Sequence, residues 1–302
     1  MVSRIGHVGL RVADLDRAVD HAVTVMGLRE VQRIDGVAYM TCNERHHELI
    51  LIADGEAGFD HLGLEIASVA ELDALRERVA DAGLPIIEPP FQELGIAQSF
   101  WCIGPGGFVF KLFAGMAHDQ PARYSALGVR PRKFGHITLK SNNLPEMEDF
   151  LINTLGFRLS DRMGTVLSWL RCNYDHHGVG LLSDPENKLH HYAFELESWS
   201  SFEQLGDLFR NHGKTFIWGP GRHGPGDNLF CYFFDLDGFV TEYMADIIRV
   251  DDEATYRWRE WPDLPVTINQ WGPAAPPEFF AAGVAIAKRY QLVGAHSNGQ
   301  TS

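Results

Sequence analysis

The sequence predicts an α+β protein of four βαβββ modules, each a strand, a helix and about three further strands, arranged as two like halves. Three observations predict it. Four segments open alike as short strands carrying a histidine: Gly6-His7-Val8-Gly9-Leu10, Asp60-His61-Leu62-Gly63-Leu64, Gly135-His136-Ile137-Thr138-Leu139 and His190-His191-Tyr192-Ala193-Phe194. An amphipathic helical stretch follows each opening. The second half of the chain then repeats the first at a nearly constant spacing.

The first opening leads into Leu15 to Met26, closed by Gly27, and the second into Val69 to Ala82, closed by Gly83. The third leads into Leu144 to Leu155 and Gly156, the fourth into Ser201 to His212 and Gly213. A glycine just past the last turn adopts the left-handed conformation that ends a helix. Runs rich in β-branched and aromatic residues come next and read as strands.

The larger period locates the halves. His7 to His136 and Gly27 to Gly156 are both 129 residues, His61 to His191 and Gly83 to Gly213 both 130. Gly104 to Lys111 matches Asp235 to Glu242 at an offset of 131. The halves are therefore placed at residues 1–118 and 133–250, joined by a linker at 119–132 that holds Pro121, Gly128 and Pro131. Residues 251–302 form a tail whose aromatic anchors (Trp258, Trp261, Trp271, Phe279, Phe280) stand among prolines, so it is expected to pack over a domain. Its last eight or so residues are expected to be disordered.

Composition narrows the function. The 302 residues carry 40 acidic and 26 basic side chains, a formal charge of -14. That balance disfavours nucleic acid or an anionic membrane as partner, since both need a cationic surface. No secretory signal and no apolar run near the roughly 20 residues of a membrane span is present, so a cytoplasmic protein is expected. Cys42, Cys102, Cys172 and Cys231 are far apart, with no Cys-x-x-Cys pair, and are expected to be reduced and partly buried.

A metal that must also bind substrate needs a few protein ligands and open positions. Two histidines and a carboxylate on one face are a recurrent solution in non-haem iron sites. The second half offers His136, His191 and Glu242; strand alternation sends His191 to the opposite face from its neighbour His190. The first half keeps His7 and His61 but has Lys111 in place of the carboxylate, and a cation there repels a dication. The metal is expected in the second half only.

These residues resemble the type I extradiol ring-cleaving dioxygenases of the vicinal oxygen chelate superfamily, over roughly residues 3 to 280. The motifs are Gly135-His136, Leu189-His190-His191, Gly221-Arg222-His223-Gly224 and Asp237-Gly238-Phe239-Val240-Thr241-Glu242-Tyr243. The resemblance implies modules paired into an open barrel in each domain, and Fe(II), less often Mn(II), held by His136, His191 and Glu242. It implies a catecholic substrate, O2 as co-substrate and a homo-oligomer. It further implies His177 as the acid-base histidine, His223 as a hydrogen-bond partner of a substrate oxygen, and Tyr232 as the tyrosine that steadies the substrate. Trp169 matches a tryptophan near the ring in the homoprotocatechuate-cleaving branch, and Thr138 and Trp218 are placed with it as substrate-binding residues.

Each of these has a plainer reading. Tyr232 and Trp169 also suit a core, His176 reads as a solvated neighbour of His177, and His46 and His47 read as surface residues. The glycine-rich loop 219–226 lacks the Gly-Lys-Ser/Thr ending of a phosphate loop. The branch that cleaves homoprotocatechuate holds its carboxylate with arginines; here one such position is Trp218, and Thr267 and Ile268 stand for an arginine pair. A neutral or apolar ring substituent is therefore expected. Two other functions share the architecture, a glyoxalase-type isomerase or lyase and a metal-free sequestering protein.

Overall fold

The computed structural model describes residues 1–121, 127–287 and 290. The expectation about the chain's last residues lies outside them.

Each half forms one strongly mixed sheet, and the strand order is the same in both. The first runs Arg29–Ile34, Val37–Thr41, Leu49–Ala53, Val2–Val12, Gly58–Ile66, Val109–Met116, Ile96–Ile103, Ile86–Ile87. The second runs Arg158–Met163, Leu167–Arg171, Val179–Ser183, Lys133–Ser141, Lys188–Glu195, Val240–Ala245, Leu229–Phe234, Trp218–Arg222. The tail adds two short strands to the second sheet: Arg259–Glu260 beside Arg158–Met163, and Val284–Ala285 beside Lys188–Glu195. The two histidine-bearing opening strands of a half pair antiparallel at the sheet centre, and every module flanks its own opening strand. The fold is thus the four-module βαβββ architecture that the repeat predicted.

The helices fall where the periodicity placed them: Leu15–Thr24, Val69–Asp81, Leu144–Asp149 and Trp199–Asn211. Asp14 and Ser68 cap the first two by accepting from the backbone N–H of Arg17 and Glu71. Gly27, Gly83, Gly156 and Gly213 all have positive φ, as a helix-ending glycine must. The third helix differs from expectation in its last turn, where Phe150–Thr154 widens into a π turn.

A single apolar cluster, including Leu10, Leu64, Leu139 and Phe194, spans both halves. Polar ties reinforce it: Tyr243 Oη donates to the Met26 carbonyl at 2.6 Å, and the Phe134 N–H to Glu48 Oε2 at 3.0 Å. All four cysteines are free and buried. Among the described residues, no helix is long and apolar enough to cross a membrane.

Candidate metal centre and active site

Directly opposed residues on paired strands point to the same sheet face, and the register puts two rows of candidate residues side by side. One row reads Trp218, Tyr232, Glu242, Ala193, His136 across five strands. The other reads Trp169, Gly180, Thr138, His191. His136 and Thr138, two apart on one strand, join the rows on a common face. Seven of the nine candidate site residues are thus brought together by strand pairing alone. Ala193, between Glu242 and His136, is small and leaves room above it. The remaining two come from connections: His177 from the turn before Val179–Ser183, His223 from just beyond Trp218–Arg222.

His136 Nε2 and His191 Nε2 lie 2.9 and 3.2 Å from Glu242 Oε2 and 3.3 Å from each other, all three side chains being buried. A chain of hydrogen bonds assigns the tautomer of His191. His190 Nε2 faces the Phe279 carbonyl at 2.9 Å, which only accepts, so that nitrogen carries the hydrogen. Burial holds the His190 pKa down to about 3, so the ring is neutral and its Nδ1 is bare. His191 Nδ1, 2.7 Å away, must then be the donor, and His191 Nε2 points a lone pair at Glu242. Glu242 Oε2 in turn has no aligned hydrogen-bond donor. Two facing acceptors repel, and a cation between them reverses the sign. The three residues therefore fit a divalent metal, with an ionised oxygen and imidazole nitrogens as donors.

The group opens onto a cavity of about 260 Å³. His177 lines it with its ring 4.6 Å from that of His136, and burial, reinforced by the neighbouring histidines, keeps His177 neutral, its pKa well below the ordinary value. His223 Nδ1 donates to the Ile268 carbonyl, leaving Nε2 to accept from Tyr232 Oη at 2.9 Å. Burial lowers the His223 pKa to about 4 and, with Glu242, raises that of Tyr232, so His223 acts as acceptor and Tyr232 as donor. Trp218 stacks on Tyr232 with ring planes 10° apart and donates Nε1 to the Pro273 carbonyl. The far wall is apolar, with Met163, Leu167, Leu182, Leu264, Ile268 and Phe280. Among the described residues no lysine or arginine lines the cavity; Asp263 at the rim and Glu242 are its carboxylates.

The first half repeats this arrangement with Lys111 in place of the carboxylate. Its row reads Trp101, Lys111, Gly63, His7. His7 and His61 meet at 3.1 Å through Nε2, and Lys111, fully buried, is held by Glu93 at 2.7 Å. A side chain at Gly63 would overlap the His7 ring, which packs into the space the glycine leaves. His46 and His47 correct the sequence reading: they are buried, His47 against His7 at 4.6 Å just as His177 lies against His136.

Comparison with known proteins turns on the repeat. One family model, described as the Glyoxalase/Bleomycin resistance protein/Dioxygenase superfamily, matches residues 4–112 and again 133–243. The chain belongs to that superfamily. A metapyrocatechase of Pseudomonas sp. (strain CF600) is 28% identical over 264 residues, 81% of this chain and 86% of its own. A manganese-dependent 2,3-dihydroxybiphenyl 1,2-dioxygenase of Geobacillus genomosp. 3 is 25% identical over 258 residues, 78% of this chain and 82% of its own. The Mn(II)-bound glyoxalase from Novosphingobium aromaticivorans is 30% identical and superposes with a TM-score of 0.85 over 97% of this chain and 96% of its own. The expectation of an enzyme of the extradiol dioxygenase family agrees with these relatives.

Within this superfamily member, three polar residues escaped the sequence reading. His190 was sent to the far face by alternation, but the register slips between Leu189 and His191, and this bulge turns the His190 ring onto that of His191. His176, read as solvated, is buried and bonded to His177 and Asp161. Asp161 gave no sequence signal of its own; only its contrast with Gln32 at the matching place in the first half marks it.

Proposed function

We propose that this protein is a metal-dependent extradiol dioxygenase that opens the ring of a catechol bearing a neutral or apolar substituent, with Fe(II) as the metal and Mn(II) as the competing choice. The observation that carries the reading is the convergence of His136, His191 and Glu242 at the floor of an apolar cavity, with His177, His223 and Tyr232 around it. Held there, the metal would supply a Lewis acid that favours loss of a diol proton and a meeting point for both substrates.

The chain's own residues account for the rest. Neutral His177, packed beside His136, is placed to take a proton from a diol hydroxyl and to return it later. Tyr232 Oη, which donates to His223 Nε2, would turn its hydrogen to a substrate oxygen where charge develops, and that turn would release His223 Nε2 to accept from a substrate hydroxyl. Trp169 and Trp218 line the cavity and would offer aromatic surface to a substrate ring. The cavity exceeds the ~150 Å³ that encloses one benzene ring, so a substituted ring fits. With no lysine or arginine among the described residues of its wall and Asp263 at its rim, a carboxylated substituent finds no permanent cation to pair with and is disfavoured.

Loading the purified protein anaerobically with Fe(II) or Mn(II), then supplying air and catechol, 3-methylcatechol, 2,3-dihydroxybiphenyl or homoprotocatechuate, tests this. Oxygen uptake matched by a yellow ring-opened product is the expected result, greatest for the apolar substituents. The likeness to the Mn(II)-bound glyoxalase favours a second reading, a metal-dependent isomerase. Its mark is anaerobic conversion of a hemithioacetal with no oxygen requirement.

A further inference from the structure

Asp161 lies in the strand Arg158–Met163 with 2% of its surface exposed, and its bonds all run inward. The Arg259 N–H donates to Oδ1 at 2.8 Å and Trp261 Nε1 to Oδ2 at 2.7 Å; both donors come from the tail. His176 Nε2 lies 3.1 Å from the same Oδ2, and His176 Nδ1 lies 3.0 Å from His177 Nδ1. A carboxylate that holds two donors takes a third as acceptor, so His176 Nε2 carries the hydrogen; the Nδ1–Nδ1 contact needs one bare nitrogen, and His176 with its hydrogen on Nε2 supplies it. His177 Nδ1 must therefore be the protonated nitrogen. With that atom engaged, Nε2 is the one left for the cavity that His177 lines.

The first half supplies a control within the same chain. His46 and His47 make the same contact, Nδ1 to Nδ1 at 2.9 Å. The residue facing Tyr39 there, where Asp161 faces Trp169, is Gln32, which is exposed and makes no hydrogen bond to His46. The acidic anchor thus occurs in the half that carries the candidate metal ligands and is missing from the half that has Lys111.

We propose that Asp161 and His176 are positioning residues that act through His177, locking it in the Nδ1-protonated tautomer with the Nε2 lone pair turned to a substrate hydroxyl. The proposal rests on the diol-cleaving reading above. Neither residue touches substrate. The tail, through Arg259 and Trp261, sets the far end of the chain of bonds.

The test compares the metal-loaded wild type with Asp161→Asn, His176→Leu and His176→Gln, using 2,3-dihydroxybiphenyl as the probe. In the last variant the carboxamide can still accept from His177 and donate to Asp161. Metal content, kcat and KM are measured, and ¹⁵N NMR of the Zn(II)-loaded protein reads the His177 tautomer. Asp161→Asn and His176→Leu are expected to lose about tenfold or more in kcat, with KM and metal content within about twofold, while His176→Gln stays within about threefold. The wild type is expected to show an unprotonated His177 Nε2, and His176→Leu a mixture. Should Asp161→Asn not fold, the two His176 variants decide. Unchanged kcat in His176→Leu, an equal fall in His176→Gln, or a protonated Nε2 in the wild type would overturn the proposal. A wild type that turns over no diol would sink the functional reading instead, and the NMR tautomer would then judge the positioning role on its own.

Discussion

Lys111 and Glu242 stand at one address in the two halves. Lys111 lies opposite Gly63 and Trp101, Glu242 opposite Ala193 and Tyr232, each beside two histidines from the central strand pair. The backbone is the same and the charge is inverted. Glu242→Gln should therefore fold normally but lose most of its metal and turnover, because a neutral amide cannot supply the anionic ligand. Full activity in that variant would remove the metal assignment.

Lys111→Glu tests the other copy. It buries a carboxylate beside Glu93, and breaking such a buried pair costs about 3–5 kcal/mol. We expect a lower melting temperature with turnover per bound metal unchanged. Loss of activity beyond the loss of folded protein would show that the first half contributes to the chemistry.

His177→Phe should keep the metal, since His177 stands outside the His136, His191 and Glu242 group, and lose about 100-fold or more in kcat. Metal analysis and steady-state oxygen uptake check both parts. An unchanged rate removes His177 from the reaction.

His190→Leu takes away the acceptor that holds the hydrogen on His191 Nδ1. Outer partners of this kind typically tune metal affinity about 10–100-fold. A metal titration should show weakening on that scale, and an affinity equal to the wild type would mean that packing alone orients His191.

Ile268→Arg places a guanidinium at the cavity wall, where none of the described residues is a lysine or arginine. The ratio of kcat/KM for homoprotocatechuate over 3-methylcatechol should rise by about tenfold or more through a charge-assisted carboxylate contact. A flat ratio would show that the substituent points elsewhere.

Burial, with Lys214 and His212 nearby, lowers the pKa of His21 to about 4, in a crevice also lined by Asp235 and Asp237. The unfolded chain binds that proton at its ordinary value of about 6.5, so its stabilisation is complete above 6.5 and is lost as pH falls towards 4. The full effect is about 3 kcal/mol at most. Urea unfolding between pH 7.5 and 4 should show a shallower acid limb in His21→Leu than in the wild type; parallel limbs would clear His21 of the role.

Much of this was legible in the sequence because the chain is its own comparison. A repeat of 129 to 131 residues aligns one half with the other, strand alternation turns that alignment into shared faces, and the exchange of lysine for glutamate tells the halves apart. Local patterns of this kind survive in one dimension: the helix ends at Gly27 and Gly83, the histidine-bearing strands, the ligand trio and the aromatic partners Trp169 and Tyr232. What the sequence did not hold was the polar support. His190 reaches His191 through a bulge, His176 reaches Asp161 across neighbouring strands, and the tail carbonyls of Ile268 and Phe279 fix the rings of His223 and His190. These contacts join residues up to 89 positions apart. A hydrogen bond depends on where two atoms come to lie, which periodicity does not encode, so the candidate ligands were written in the sequence and their tautomers were decided only by the fold.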